Sequence, residues 1–294
     1  MCVVAVKYFK NIGWVGAKNR DRMYLADVEI NQSNRDDIQR LYIDDKLSRY
    51  TEGLNENGVS ILSASLSVKS DEKEGDKATN QDRYKKTNYM SPDGKKIRDA
   101  LKIKDPLNAA KYLIKNELAG ATYVFNQKEC WLIEGGFTEK KEVKDREYVH
   151  KLIKIKDQSV RTNHGIELPQ LGYKVDAEDP NFLKARKSSE ERLRIAIDEI
   201  KKVTDPLEMI DALAVSPNSD PFMNPVRHGD PKKKEMVTTG QLLLVPSDRT
   251  LHYRPIYSSV SFTYNKLNGP EAKTFFEIIS SRKLLGFKEY KKWV

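Results

Sequence analysis

Met1-Cys2-Val3-Val4-Ala5-Val6 and, one turn later, Gly13-Trp14-Val15-Gly16-Ala17-Lys18-Asn19-Arg20-Asp21-Arg22 decide how the rest of the chain is read. Val3 to Val6 is a short apolar run of the kind that forms a buried strand. Gly13 and its neighbours mark a turn. Trp14 to Ala17 returns as a second strand and delivers Lys18-Asn19-Arg20-Asp21 beside Cys2. Cysteine at position 2 has a chemical consequence. Removal of Met1 is expected before so small a residue, and it leaves Cys2 with both a thiol and a free α-amine. That amine has a pKa of about 7.7–8.0, so near neutral pH a sizeable fraction can accept a proton. Thiol and amine on one residue form a nucleophile that carries its own base. Against this stands the plain reading, in which Cys2 is one more small residue and the charged run is a solvated turn. The remainder of the chain decides between the two.

Composition narrows the choice. The chain has 294 residues, of which 38% are hydrophobic and 32% charged, with a net charge of +9. That length suits one large domain or two ordinary ones. No linker-like stretch divides it, so a single domain over 1–294 is expected. A positive chain attracts anionic partners, but the basic residues are dispersed among acids. A nucleic-acid-binding protein needs a concentrated basic stripe with aromatic platforms, so that class is disfavoured. No P-loop, dinucleotide glycine pattern or zinc spacing is found, and neither a cofactor nor a metal is expected. The two cysteines, Cys2 and Cys130, suggest no disulfide framework and fit a reducing cytoplasm. Cys130 sits in an apolar run and reads as a small buried hydrophobe. The run after Cys2 is interrupted by Lys7 and is too short for a signal peptide, and no stretch is long enough to span a bilayer. A cytoplasmic location without a membrane partner is the expectation, with homo-oligomerisation left open.

Outward from the opening, the pattern alternates between strands and helices. Residues 34–49 read as a polar extension between strands. Asn57-Gly58 favours a tight hairpin, and Val59 to Val68 is a strand of small residues. Residues 69–95 form a long polar loop of the functional or mobile kind. A short helix is expected over 97–103. Asp105-Pro106 starts another by its cap and first-turn proline, with Gly120 closing it. Thr122–Phe125 and Cys130–Glu134 make a hairpin, strand continues over 143–155, and 166–182 reads as loop. Ser188-Ser189-Glu190-Glu191 opens a long helix by capping logic. Asp205-Pro206 opens a short one, and strands follow over 237–245 and 250–254. A basic, aromatic segment closes the chain over 275–294. This order implies an α+β fold of two antiparallel sheets packed together with helices outside.

Several blocks, in order, resemble the cysteine branch of the N-terminal nucleophile (Ntn) hydrolases, which holds the choloylglycine hydrolases, acid ceramidase-like amidases and isopenicillin N acyltransferases. Met1-Cys2 with Lys18-Asn19-Arg20-Asp21 resembles the choloylglycine opening, and Gly53-Leu54-Asn55-Glu56-Asn57-Gly58-Val59 resembles its Asn-Glu-x-Gly turn. Trp131-Leu132-Ile133-Glu134 followed by Arg161-Thr162-Asn163-His164 resembles the acyltransferase pattern. So does Pro225-Val226-Arg227-His228 followed by Thr238-Thr239, while Ser189-x-x-Arg192 is similar to both groups. The likeness runs from Met1 to about Arg254. It departs at Lys18, where choloylglycine enzymes have Arg, and at Val226, which replaces a Cys. The Asn-Arg-Asp triplet instead resembles another small Ntn-like family.

The resemblance implies a four-layer αββα sandwich with the nucleophile at the end of a central strand. It implies a hydrolase or acyltransferase of linear, non-peptide amides, acting through an acyl-enzyme on a small-molecule substrate without a cofactor. Cys2 is then the nucleophile. Asp21 orients its amine, Asn163 donates to the oxyanion, and Arg20 and Arg192 position Cys2 and Asp21. Lys18, Ser65 (through its backbone N–H) and His228 line the substrate site, whereas His164 is packed. Tyr84 and Tyr89 in the long loop are candidates to cover the pocket. The alternatives are an Ntn scaffold that binds without catalysing and a basic protein associated with nucleic acid.

Overall fold

The computed structural model describes residues 2–24, 26, 28–33, 38–66, 92–138, 147–173, 180–229, 233 and 235–255, together with the backbone of three strands within 262–293. In chain order the first strands are β1 (Cys2–Phe9), β2 (Gly13–Arg22), β3 (Val28–Ser33), β4 (Arg40–Asp45), β5 (Thr51–Asn55) and β6 (Ser60–Ala64). Helices α1 (Pro92–Ala100) and α2 (Pro106–Lys115) follow, then β7 (Gly120–Phe125), β8 (Cys130–Phe137), β9 (Tyr148–Lys154) and β10 (Gln158–Arg161). The long α3 (Pro180–Lys202) and short α4 (Glu208–Ala212) precede β11 (Val237–Val245), β12 (Thr250–Pro255), β13 (Phe262–Asn268), β14 (Glu271–Glu277) and β15 (Tyr290–Trp293).

Among the described residues the strands form two antiparallel sheets. One has the order β10-β1-β2-β11-β12-β13-β14-β15, the other β3-β4-β5-β6-β7-β8-β9. Side chains alternate across a strand, and each sheet uses both faces. Val4, Val6, Trp14, Leu242 and Leu244 of the first sheet meet Leu41, Leu54, Leu62, Tyr123 and Phe125 of the second. On the outer face of the first sheet, Val3, Ala5, Val15 and Ala17 pack under Ala196 and Ile200 of α3 and Met209 of α4. On the outer face of the second, Val59, Ile61, Val124 and Ile133 pack under Ile97 of α1 and Ala109 and Leu113 of α2. The molecule is therefore the four-layer αββα sandwich expected. The sheets approach closely at Gly16, where a Cβ would lie 2.5 Å from the Phe125 ring. Gly58 supplies the left-handed turn residue, at φ 79°, between β5 and β6.

Several boundaries differ from expectation for physical reasons. Segment 34–49 contains a true strand, β4, held on both sides by β3 and β5. The first helix begins at Pro92 and ends at Ala100, ahead of the 97–103 expected. Helix α2 does start on Asp105, whose Oδ1 accepts from Asn108 N at 2.8 Å. It ends at Lys115 rather than running to Gly120, because Glu117 takes a left-handed φ of 54°. The long helix starts at Pro180, so Ser188 and Ser189 are buried mid-helix residues and not caps. Most of the loop read over 69–95, with Tyr84 and Tyr89, lies outside the described residues, although α1 occupies its last positions. The closing segment contains the end of strand β14 and all of β15. Among the described residues no helix is long and apolar enough to cross a membrane.

One side chain fixes the helix layer to the strand that carries Cys2. Lys7 of β1 donates from Nζ to the carbonyls of Ile200 and Val203 at 2.8 Å and of Lys201 at 3.1 Å. These are carbonyls that a helix end leaves without partners, and a cation there also complements the helix dipole.

Candidate active site

The hairpin register builds the site. Cys2 stands opposite Arg20, and Val4 opposite Lys18, so Lys18, Arg20 and Arg22 share the inter-sheet face with the Cys2 side chain. The other strands place carboxylates on that face: Asp45 two residues beyond Ile43 on β4, and Glu52 two residues before Leu54 on β5. One end of the inter-sheet space is thus apolar and the other ionic. Lys18 Nζ donates to Glu52 and to the Ser63 carbonyl. Arg20 lies between Glu52 at 3.7 Å and Asp45 at 3.8 Å. Arg22 Nε donates to Asp45 Oδ2 at 3.1 Å, and its Nη1 approaches Cys2 Sγ at 3.9 Å.

On the opposite face of β2 a second network forms. Asp21 Oδ1 accepts from Thr238 Oγ1 at 2.7 Å, while Oδ2 faces Arg227 Nε at 3.4 Å and Arg192 Nη1 at 3.7 Å. Arg192 also reaches the Cys2 carbonyl at 3.4 Å and Asn163 Oδ1 at 3.2 Å. Asn163 arrives from the other neighbour of β1. Val4 pairs with Arg161, so two residues further on Asn163 stands opposite Cys2. The Cys2 backbone nitrogen donates to Asn163 Oδ1 at 2.9 Å, and Asn163 Nδ2 donates to the Ser65 carbonyl at 2.7 Å. Helix α3 braces this corner. Ser189 Oγ accepts from Asn163 N at 3.0 Å and contacts His164 Nδ1 at 2.8 Å.

The electrostatics follow from this placement. Burial pushes the Cys2 thiol up, but Lys18, the chain's amino terminus and Arg22 outweigh it against Asp21, and the thiol ends below its ordinary value. Burial also pushes Asp45 up, yet Arg22 and Arg20 hold it below the usual carboxylate range. His164, deprived of water and beside Arg186, falls to about 4 and stays neutral at pH 7. It is a packed residue. A buried cluster of three cations and two carboxylates adds little to stability, because desolvation offsets attraction. Such clusters concentrate at sites that shift pKa values.

Of the residues singled out from the sequence, the structure gathers Cys2, Lys18, Arg20, Asp21, Ser65, Asn163 and Arg192 around one corner. Their placement refines several expected parts. The Cys2 nitrogen meets Asn163, and the Asp21 carboxylate is linked to the Cys2 carbonyl through Arg192. Lys18 and Arg20 are fully buried and bind carboxylates of the protein. His228 is not brought in. Strand-like alternation turns the buried Arg227 inward and the exposed His228 outward, where it contacts Ser216 Oγ at 3.2 Å. Arg22, Asp45, Glu52, Arg227 and Thr238 join the site without having been assigned to it. For Arg22 the signal was available: it continues the two-residue period of Lys18 and Arg20. Asp45 and Glu52 depend on sheet stacking and carry no local mark. Among the described residues no three His, Cys, Asp or Glu side chains form a metal-binding group.

Neither the protein-family models nor the curated proteins compared with the chain match it. Solved structures do. The chain is similar to the C2A mutant of conjugated bile acid hydrolase from Clostridium perfringens, with 12% identity over 93% of this chain and 96% of that one and a TM-score of 0.48. It is similar also to penicillin V acylase from Agrobacterium tumefaciens, with 11% identity over 94% of this chain and 91% of that one and a TM-score of 0.44.

Proposed function

We propose that the chain is a hydrolase or acyltransferase of linear, non-peptide amides, with Cys2 as the nucleophile once Met1 is removed. One observation carries the proposal: Cys2 is held at three points. Its nitrogen lies on Asn163 Oδ1 at 2.9 Å, its carbonyl on Arg192 at 3.4 Å and its sulfur beside Arg22 at 3.9 Å. A structural cysteine needs none of these. A nucleophile needs all three, because thiolate formation, orientation and the position of the amine each affect the rate.

In this reading the thiolate attacks the amide carbonyl carbon and its electron pair moves onto the oxygen. Asn163 has two N–H donors, and one is engaged by Ser65. The other serves the oxyanion, a contribution typically worth about 10²–10³ in rate. The Cys2 α-ammonium protonates the leaving nitrogen, the carbon–nitrogen bond breaks, and an acyl thioester remains. Water then releases an acid, or a second amine takes the acyl group. Asp21 offsets the charge of Arg192 and Arg227 behind the nucleophile.

The test combines intact mass and turnover. Active protein should lack Met1, should gain one acyl group on Cys2 from a thiol-reactive acylating probe, and should cleave members of a library of linear amides. Retention of Met1 on protein that cleaves amides would rule out the free-amine mechanism. Labelling without turnover of any amide would favour the non-catalytic scaffold.

A further inference from the structure

We infer that Arg22 is a further catalytic residue, the counter-ion that holds the Cys2 sulfur as a thiolate. For turnover this rests on Cys2 being the nucleophile; the pairing itself can be measured without any substrate. Three cations of β2 share the face of the Cys2 side chain, but their charges are not equally available to it. Lys18 Nζ is committed to Glu52 and the Ser63 carbonyl. Arg20 is wholly buried between Glu52 and Asp45. Among the described residues Arg22 alone donates towards Sγ, from Nη1 at 3.9 Å.

Arg22 is also held in place. Its Nη1 donates to the Asp21 carbonyl at 2.9 Å and its Nε to Asp45 Oδ2 at 3.1 Å. Asp45 in turn accepts from Tyr24 Oη at 2.8 Å and from the backbone nitrogens of Leu47 and Ser48 at 3.1 and 3.2 Å. A guanidinium fixed on two sides keeps its orientation at no further entropic cost when the sulfur charges. The charge count agrees. Lys18, Arg20 and Arg22 face two carboxylates, Asp45 and Glu52, which leaves one positive charge in excess. A thiolate at Cys2, its proton passed to solvent, would neutralise it. Across β2, Asp21 lies between Arg192 and Arg227, and that group adds a further cationic excess. The phenols of Tyr24 and Tyr253 near the cluster are pushed up to about 12 by burial, so they stay neutral over the range tested. Position separates Arg22 as well: its side chain is 15% exposed, against 1% for Lys18 and 0% for Arg20. It stands at the rim, where a reagent or substrate meets the sulfur.

The test is the pH dependence of Cys2 alkylation by iodoacetamide on substrate-free full-length protein, with the site read by mass spectrometry. Wild type should show a midpoint below about 8.5, the value of a free thiol. Arg22→Gln should raise it by about one unit, which is about tenfold slower alkylation wherever thiolate is the minor form, and Arg22→Lys should restore part of the shift. A folded Arg22→Gln protein with the wild-type midpoint overturns the inference. Should Arg22→Gln fail to fold, Tyr24→Phe provides the test. It loosens Asp45, and with it the guanidinium, without removing charge. It must raise the midpoint in the same direction, and no shift overturns the pairing. The two readings fail separately. A low midpoint that depends on Arg22, in a protein that turns over no amide, rejects the amidase and keeps the ion pair. Amide turnover at Cys2 with an unshifted Arg22→Gln midpoint does the reverse.

Discussion

Cys2 and Cys130 face the same space between the two sheets, at opposite ends of it, and their thiols are driven in opposite directions. Both are almost completely enclosed, at 4% and 0% exposure. Burial and nearby Glu129 push the Cys130 thiol well above its ordinary range, whereas the cations around Cys2 bring that thiol below it. Burial is therefore not what distinguishes the two. The difference lies in the order of residues along single strands. The inter-sheet face of β2 runs Trp14, Gly16, then Lys18, Arg20, Arg22; that of β4 runs Leu41, Ile43, then Asp45. One end packs as hydrocarbon and holds an inert thiol. The other excludes water around charge and holds a thiol lowered by its cations.

Variants can break this contrast, from the largest effect downwards. Cys2→Ala should abolish turnover of any amide that the wild type cleaves while leaving melting nearly unchanged, since little packing is deleted at a strand terminus; activity retained in Cys2→Ala and lost in Cys130→Ala would invert the comparison. Lys18→Met should make the ionic end resemble the apolar one. It leaves Glu52 without its ammonium partner in a dry site, and breaking such a pair costs about 3–5 kcal/mol, measurable by urea denaturation. Asn163→Ala should keep Cys2 labelling and lower the steady-state rate about 10²–10³-fold. An unchanged rate would remove Asn163 from the chemistry. Cys130→Ala should be the mildest, costing about 1 kcal/mol in the melting transition and leaving the pH profile of Cys2 alkylation where it was.

Much of this was legible in the chain because it is local. The hairpin from Val3 to Asp21, the Asp105-Pro106 helix start and two antiparallel sheets with helices outside follow from period, caps and turns, while the four-layer αββα order was what the resemblance implied. The corner of Cys2, Asp21, Asn163 and Arg192 was reached through ordered motif blocks. What escaped depends on distance along the chain. Asp45 sits 23 residues from Arg22 in a segment whose polar content hid a strand. Ser188 and Ser189 carry a helix-start signature, yet they lie inside α3, where their hydroxyls hold Arg227 and Asn163 across the helix–sheet interface. Tertiary hydrogen bonding used the residues that capping would have used. His228 was read in place of Arg227 because a motif gives the pair, and only the turn of the backbone decides which one points inward.

The ammonium of Lys7 under the last turn of α3 has a consequence in time. The same strand that presents Cys2 grips the helix end through Lys7 and its middle through the Cys2 carbonyl and Arg192. Openings of that helix end and of β1 are then one event and not two. Backbone amides in the final turn of α3 and in β1 should exchange with deuterium at matched rates. Lys7→Met should let the helix end exchange faster and alone, while the strand keeps its own clock.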